Sequence, residues 1–398
     1  MKTDFSCDKR TLDTLFACNR ISALVWNRCV DLANEYRRNN DGAWISAGQL
    51  KAITKQTVPI HSQSIQSVVE SYCEARDATR MARSQGLDTR YPRRHKHVYP
   101  TTWKQGAIRI NYEKFTLTLS LGQWQKIRQD PIVVTLPKST IEKLQGCSVK
   151  EISLVWDRRL QFSICYDNGQ TNPELLHNDN EAAIDLGVVH SITAFCRNGE
   201  AIIVTGRLLR SINRYRAKKL SEFHKLMSRC TKYSRRWKKL QCAKRRLSSK
   251  LDAQVRDLTH KITRSFVHWA VANNVDRVFV GDVEGVELNT RNGAKRKRKK
   301  RVVSQQLSTW NFGQQLEYLK YKLRAEGIQL IKISEAYSSQ TCPICGHRHK
   351  ARGRNYRCSC GYSAHRDIHG ARNILSLGLY ERFEYVADIE HITYLRTA

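Results

Sequence analysis

The chain has 398 residues, with 69 Lys and Arg against 36 Asp and Glu, for a formal net charge of +33. That length predicts two to four compact units, and 40% hydrophobic with 9% aromatic residues can build real cores, which excludes wholesale disorder. No apolar run approaches the ~20 residues that cross a bilayer, and the opening MKTDFSCDKRTLD lacks the apolar stretch of a secretory signal. A non-membrane, cytoplasmic protein is therefore expected. The 13 cysteines, an odd number, predict reduced thiols and a metal site rather than a disulfide framework.

Residues 10 to 88 show helical periodicity, with Leu12, Leu15, Phe16, Leu24, Val25, Cys29 and Leu32 at three- and four-residue spacing, and a second run from Ser62 to Ala78. SQGLDTRYPRRHKHVYPTT (84–102) breaks the pattern as a basic, aromatic loop. From Ile108 to Asp167 the apolar period changes to two, as in half-buried strands. Residues 168–180 form a polar linker. AAIDLGVVHSITAFCRNGEAIIV (182–204) then predicts a strand, a tight turn at Gly187, and two more strands joined by a hairpin. A long helical stretch follows, with Leu240, Leu247, Leu251, Leu258, Ile262 and Phe266 on one face. DRVFVGD (276–282) is a buried strand, 308–326 a helix, and GIQLIKIS (327–334) another strand. Three strands in hairpin succession, then helix–strand–helix–strand, is the order of an RNase H-like domain.

Residues 207–301 hold 29 Lys and Arg but only 7 Asp and Glu, so two thirds of the imbalance sits in under a quarter of the chain. With Tyr215, Tyr233 and Trp237 interleaved, this points to a nucleic-acid partner. The alternative, a basic helix on a membrane surface, lacks an apolar face in RNGAKRKRKKR (291–301), a basic loop. Trp26, Tyr91, Trp103 and Trp156 are candidates for base stacking, with core packing favoured for Trp26 and Trp156.

Cys342-Pro-Ile-Cys345 and Cys358-Ser-Cys360 stand twelve residues apart. Each short spacing folds into a knuckle that presents two sulfurs to one ion, so the four match a tetrahedral zinc ribbon. Four thiolates leave no open position, which makes this zinc structural. His347 and His349 lie between the knuckles as unneeded substitutes, and the remaining nine cysteines are assigned to packing.

Two carboxylates stand where hard cations are held. Asp185 closes the strand AAI, and Asp367 begins a helix in AHRDIHGARNIL, just after the ribbon. Phosphodiester hydrolysis by paired Mg²⁺ needs several carboxylates converging on ions ~3.5–4 Å apart. Alone, an Asp after an apolar strand is as readily a turn or cap residue. Ser338 to Thr341 could contact phosphate or cap a turn. Arg366 could balance charge or bind DNA, His365 could be an ordinary surface histidine, and Asn373 could orient the site.

IDLGVVHSITAF, SEAYSSQTCPICG, and the ribbon followed by HRDIHGARNI resemble the TnpB family, transposon-encoded relatives of compact type V CRISPR effectors. The resemblance spans most of residues 180–375; the first 180 match in layout only. It implies an α/β multidomain protein: a wedge domain at 1–10 and 101–180 with a β-barrel-like core, and a helical recognition lobe at 11–100. A RuvC-like nuclease domain at 181–340 and 365–398 is interrupted by the zinc ribbon at 341–364. The implied function is an RNA-guided DNA endonuclease that pairs a guide RNA with target DNA beside a short flanking motif. Such a protein holds the heteroduplex in a basic channel. Zn²⁺ would be structural, two Mg²⁺ catalytic, and the protein a monomer.

Asp185 and Asp367 fall on the first and third RuvC carboxylates. The second, normally Glu at the end of the strand DRVFVGD, is replaced by Gly281. In a branch of the family that includes the Fanzor proteins, a Glu in an E-A-Y-x-S setting takes its place, which here is Glu335. Asp282 and Glu284 are rivals, although strand alternation should turn Asp282 away from the face of Gly281. The triad so implied is Asp185, Glu335 and Asp367. Gly281 also leaves open an RNA-guided DNA-binding protein without cleavage, a repressor or targeting factor. A transposase, the third reading, finds no separate tyrosine or acidic triad suited to strand transfer.

Overall fold

A computed structural model describes residues 1–157, 159–283, 309–351 and 353–396. Glu284 and the basic run 291–301 lie outside these residues. The chain divides into two compact units, 1–170 and 171–398. No helix among the described residues is long and apolar enough to cross a membrane.

The first unit combines helices and strands around one core. A two-residue strand β1 (Lys2–Thr3) leads into α1 (Lys9–Asn39), whose N-terminus is closed by the Asp8 side chain accepting the Thr11 amide. A Ser46–Gln49 capping box starts α2 (Ala47–Thr54), and α3 (Ser62–Ser84) follows. The basic loop runs on to β2 (Thr101–Lys104). Short strands β3 (Ile108–Asn111), β4 (Thr116–Leu119), β5 (Gln123–Trp124), β6 (Ile127–Arg128) and β7 (Ile132–Thr135) precede α4 (Lys138–Leu144) and the long hairpin β8 (Ser148–Asp157) and β9 (Arg159–Asp167). The sheets run β1-β9-β8-β2 and β3-β4-β7. Leu15, Val25 and Cys29 of the expected helical stripe are buried, but Leu24 is exposed.

Two tryptophans exchange their expected places. Trp103 is 0% exposed on the inward face of β2, its indole N–H donating to the Ser120 carbonyl, so it cannot stack on a base. Trp156, expected in the core, is 65% exposed near the end of β8. Alternation decides both: β8 buries Ile152 and Leu154, and position 156 lies beyond the covered part of that face. Trp26 packs inside as expected.

The second unit is a six-stranded sheet between two helical layers. Strands β10 (Glu181–Leu186), β11 (His190–Cys196) and β12 (Glu200–Thr205) form the antiparallel meander. Helices α5 (Arg207–Ser228) and α6 (Arg235–Ala272) lead to β13 (Arg277–Gly281), parallel to β10. After α7 (Phe312–Ala325) comes β14 (Gln329–Ile333), parallel to β13. The hairpin β15 (Asn355–Arg357) and β16 (Ser363–His365) runs directly into α8 (Arg366–Tyr380). A last strand, β17 (His391–Arg396), adds parallel to β12 and gives the order β14-β13-β10-β11-β12-β17. β17 has no counterpart in the sequence reading, because Ile392 and Tyr394 are exposed and their pattern is that of a surface segment.

Strand alternation sorts side chains between the layers. Ala182, Ile184, Leu186, Val278 and Val280 pack with Ile262, Phe266, Leu319 and Leu323 of α6 and α7. Ala183, Phe279, Ile331 and Ile333 pack with Ile368, Ala371, Ile374 and Leu375 of α8. Only the C-terminal half of α6 is covered, from Leu251 to Ala270; Leu240 and Leu247 of the expected stripe are half-buried.

α8 lies close to the sheet because it carries glycines where it crosses. A Cβ on Gly378 would stand 2.4–2.6 Å from ring atoms of Phe279. Ala normally stabilises a helix interior by about 1 kcal/mol over Gly. Gly378→Ala should instead destabilise the protein by about 1–3 kcal/mol, the usual cost of overpacking, as measured by urea unfolding. A raised denaturation midpoint would refute this account of the α8 packing.

Candidate active site and metal centre

The same alternation brings the acids together. Asp185 follows Ile184 on β10 and shares the α8 face with Ala183. Ile184 pairs with Val280, so Asp185 stands level with Gly281, which in turn pairs with Ile333 of β14. Glu335 lies two residues past Ile333 and returns to that face. Asp367 stands in the first turn of α8. Asp185, Glu335 and Asp367 all line one cleft of about 870 Å³, together with Ser338, Ser339, Arg354 and Arg366.

Gly281 and Glu335 fit each other. A Cβ built on Gly281 would stand 2.3 Å from Glu335 Oε2 and 2.9 Å from Glu335 Cβ, closer than atoms can pack. The Glu335 side chain therefore fills the space that any residue other than glycine would claim at 281. Asp282 has the parity of Val280, is exposed, and does not line the cleft.

The acids are strained electrostatically. Burial first, then Glu335 and Asp367, push the Asp185 carboxyl well above the usual range, and Arg366 opposes them. Burial and Asp282 push Glu335 up to about 7. Crowded carboxylates that resist ionisation are a suitable donor set for hard divalent cations, whose charge reverses the penalty. Gly370 admits Asp185 to the helix: a Cβ there would lie 2.8 Å from Asp185 Oδ2. Asp367 is held from several sides, by His190 Nδ1 at 2.7 Å from Oδ2, Arg354 at 3.6 Å and Arg366 at 3.4 Å. His365 is half-buried rather than on the open surface, and its Nδ1 is buried without a partner.

The ribbon cysteines converge as their spacing predicts. Cys342 and Cys360 sulfurs are 3.6 Å apart, Cys345 and Cys358 3.5 Å, and all four lie within 4.8 Å of one another. Four sulfurs at ~2.3 Å from one ion stand roughly 3.8 Å apart, so the residues fit zinc. The Cys360 amide leads in lowering the Cys358 thiol to about 6, whereas burial raises Cys342 to about 12. His347 and His349 stay outside the group; His349 Nδ1 instead meets the Tyr356 hydroxyl at 3.3 Å. Among the described residues, the second such convergent group is His190, His365 and Asp367.

α8 joins ribbon and cleft. Asn373 Nδ2 donates to the carbonyls of Ser338 (2.6 Å) and Thr341 (2.7 Å), bracing the cleft wall rather than touching an acid. His369 stacks on Tyr356 at 3.9 Å, and Tyr362 Oη lies 3.2 Å from His369 Nδ1. His190, His369 and Arg354 join the site without having been singled out by any sequence motif. His190 had a visible signal, five residues past Asp185 across a predicted turn, whereas Arg354 reaches the cleft only through the hairpin fold.

Two family models match, a Cas12f1-like TNB domain over residues 312–374 and a probable transposase over 163–287. A putative RNA-guided DNA endonuclease InsQ of Escherichia coli is 28% identical over 45% of this chain and 46% of its own length. The TnpB-like protein L79 of Acanthamoeba polyphaga mimivirus is 25% identical over 50% of this chain and 38% of its own. Over these stretches the chain is similar to TnpB-type proteins. The TnpB relatives named above are matched over less than half their length. A CRISPR-associated endodeoxyribonuclease Cas12f1 of Sulfoacidibacillus thermotolerans is 28% identical over 31% of the chain and 27% of its own. The fold is shared with a Cas12f1 solved by cryo-EM with sgRNA and target DNA, at a TM-score of 0.66 and 14% identity, covering 92% of this chain and 83% of that one.

Elemental analysis of the purified protein should find one zinc per chain, lost on Cys342→Ser. Because the ribbon core of Cys342, Tyr356, Cys358 and Tyr362 is so small, zinc removal should also abolish hydrogen-exchange protection at the Cys358 amide, which donates to the Tyr362 carbonyl. Retained protection after chelation would remove the metal from the account of this hairpin.

Proposed function

We propose that this chain is an RNA-guided DNA endonuclease with a RuvC-like site in which Asp185, Glu335 and Asp367 hold two Mg²⁺. The observation that carries the reading is the mutual fit of Gly281 and Glu335. A site that had merely lost its second acid would have no reason to seat another carboxylate in the vacated space. Sequence would be read by base pairing between guide RNA and target, and the basic α5 and α6 would neutralise phosphates. The wedge (1–10, 101–180) and helical recognition lobe (11–100) would receive guide and target, and the nuclease domain (181–340, 365–398) with its ribbon (341–364) would cut.

When bound, Mg²⁺ would activate water and stabilise the leaving oxygen. The chain's own part is to hold the carboxylates rigidly on strand ends and a helix start. Arg354 and Arg366 offer their guanidinium groups to the phosphate passing through the cleft, and a single cleft would take the two DNA strands in turn.

The rival is a guided DNA-binding protein without cleavage, for which Gly281 is the specific argument. Plasmid cleavage separates them, using protein co-purified with RNA from its own locus, a matched target and a randomised flank. Wild type should cut with Mg²⁺ and not with EDTA, and Asp185→Ala, Glu335→Ala and Asp367→Ala should each abolish cutting. Binding without cleavage by wild type would establish the rival.

A second prediction isolates the relocated acid. Gly281→Ala should cost on the order of 100-fold in cleavage rate, as a misplacement of about 1 Å can. Returning the acid to its usual strand, in Gly281→Glu with Glu335→Ala, should recover activity over Glu335→Ala alone. If Gly281→Ala cuts like wild type, the fit has no catalytic meaning.

A further inference from the structure

The nuclease assignment leaves unexplained a buried histidine beside the cleft. We infer that His190 is a positioning residue for Asp367, its imidazole N–H fixing the rotation of that carboxylate for cation binding. This inference rests on the nuclease reading of the cleft.

His190 is 6% exposed, and its Nδ1 lies 2.7 Å from Asp367 Oδ2. An ionised carboxylate only accepts hydrogen bonds, so Nδ1 carries the proton. The backbone is shaped to deliver this ring. Along β11, Ile192, Ala194 and Cys196 face α6 and α7, and regular alternation would send His190 there too. A bulge intervenes: Ile192 pairs with Val204, but His190 pairs with the very next residue, Thr205. Thr205 has the parity of Ile203, which packs on the α8 side, so the irregularity moves His190 across the sheet to the layer of Asp367. The turn before it also requires glycine, since a Cβ on Gly187 would stand 2.5 Å from the His190 carbonyl oxygen.

His190, His365 and Asp367 together could instead hold a separate transition-metal ion. The surroundings favour positioning. Arg354 and Arg366 both reach Asp367, and their positive charge opposes another cation at the imidazoles. Outer-shell partners that hydrogen-bond and orient a metal ligand typically contribute 10–100-fold in metal affinity or activity.

The test compares wild type, His190→Ala, His190→Asn and Asp185→Ala. Mn²⁺ affinity of the protein without nucleic acid is read by electron paramagnetic resonance. Single-turnover cleavage and target-DNA affinity in EDTA are measured on the guide-loaded complex. His190→Ala should weaken Mn²⁺ binding and slow cleavage by about 10–100-fold, with DNA affinity unchanged. His190→Asn, whose amide nitrogen stands near the place of Nδ1, should recover most of both.

The inference falls if His190→Ala matches wild type, or if His190→Asn is as weak as His190→Ala, which would mark a packing role. A directly coordinated nitrogen in the Mn²⁺ spectrum of wild type would overturn it in favour of an imidazole ligand. If wild type and Asp185→Ala bind Mn²⁺ equally and neither cuts, the nuclease reading itself fails, a result distinct from the other three.

Discussion

The repulsion among carboxylates on one face of the sheet is the constraint around which the second unit is built. Asp185 and Glu335 are each pushed toward the neutral form by burial and by neighbouring acids. Arrangements of this kind destabilise a fold unless a cation enters or a neighbour compensates. Part of the compensation comes from Arg354, Arg366 and His190 around Asp367. Among the described residues neither Asp185 nor Glu335 has a comparable hydrogen-bond donor, so both would gain from a divalent ion. Stability surrendered at a cluster of buried acids is the usual mark of a site kept for chemistry.

The path by which the acids meet is set by period-two alternation and by glycine. Positions 183 and 185, 279 and 281, and 331, 333 and 335 all face α8, so three parallel neighbours aim at one helix. Glycines then let the layers close: Gly370 beneath Asp185, Gly378 over Phe279, and Gly281 under Glu335. Each of these lacks a side chain where a methyl group would collide with a neighbour. Conformational freedom is not their reason, since none of the three has a positive φ.

What could be read from the sequence follows from how local each signal was. The Cys342–Cys345 and Cys358–Cys360 knuckles are local in spacing, and their convergence required only a hairpin. The meander at 181–205 and the strands at β13 and β14 were legible because their alternation or apolar runs lie within single segments. The exposure of Trp103 and Trp156 was not, because each depends on which face of a strand another element happens to cover. β17 escaped because an edge strand with exposed Ile392 and Tyr394 resembles a surface loop. Glu335 was named only through resemblance to a family. Its fit against Gly281 is a contact between different strands, and no spacing along the chain encodes it. His190 was missed for the same reason, since one bulge reverses the face that alternation assigns.

α8 ties these features to the zinc ribbon. Its first turn carries Asp367, its next residues admit Asp185, and His369, Arg372 and Asn373 grip the ribbon and the cleft wall. Arg372 is 2% exposed, and its guanidinium lies 4.9 Å from the Phe195 ring and 4.7 Å from that of Tyr385, with one donor to the Tyr362 hydroxyl at 3.3 Å. A cation so buried is held by aromatic faces rather than by a carboxylate, and it clamps the ribbon tyrosine to the sheet. The aromatic ribbon core, the His369 stack and the Arg372 clamp thus act on the helix that aims Asp367. A metal whose four ligands leave no room for substrate can still govern catalysis in this way, by fixing the helix from which one acid projects.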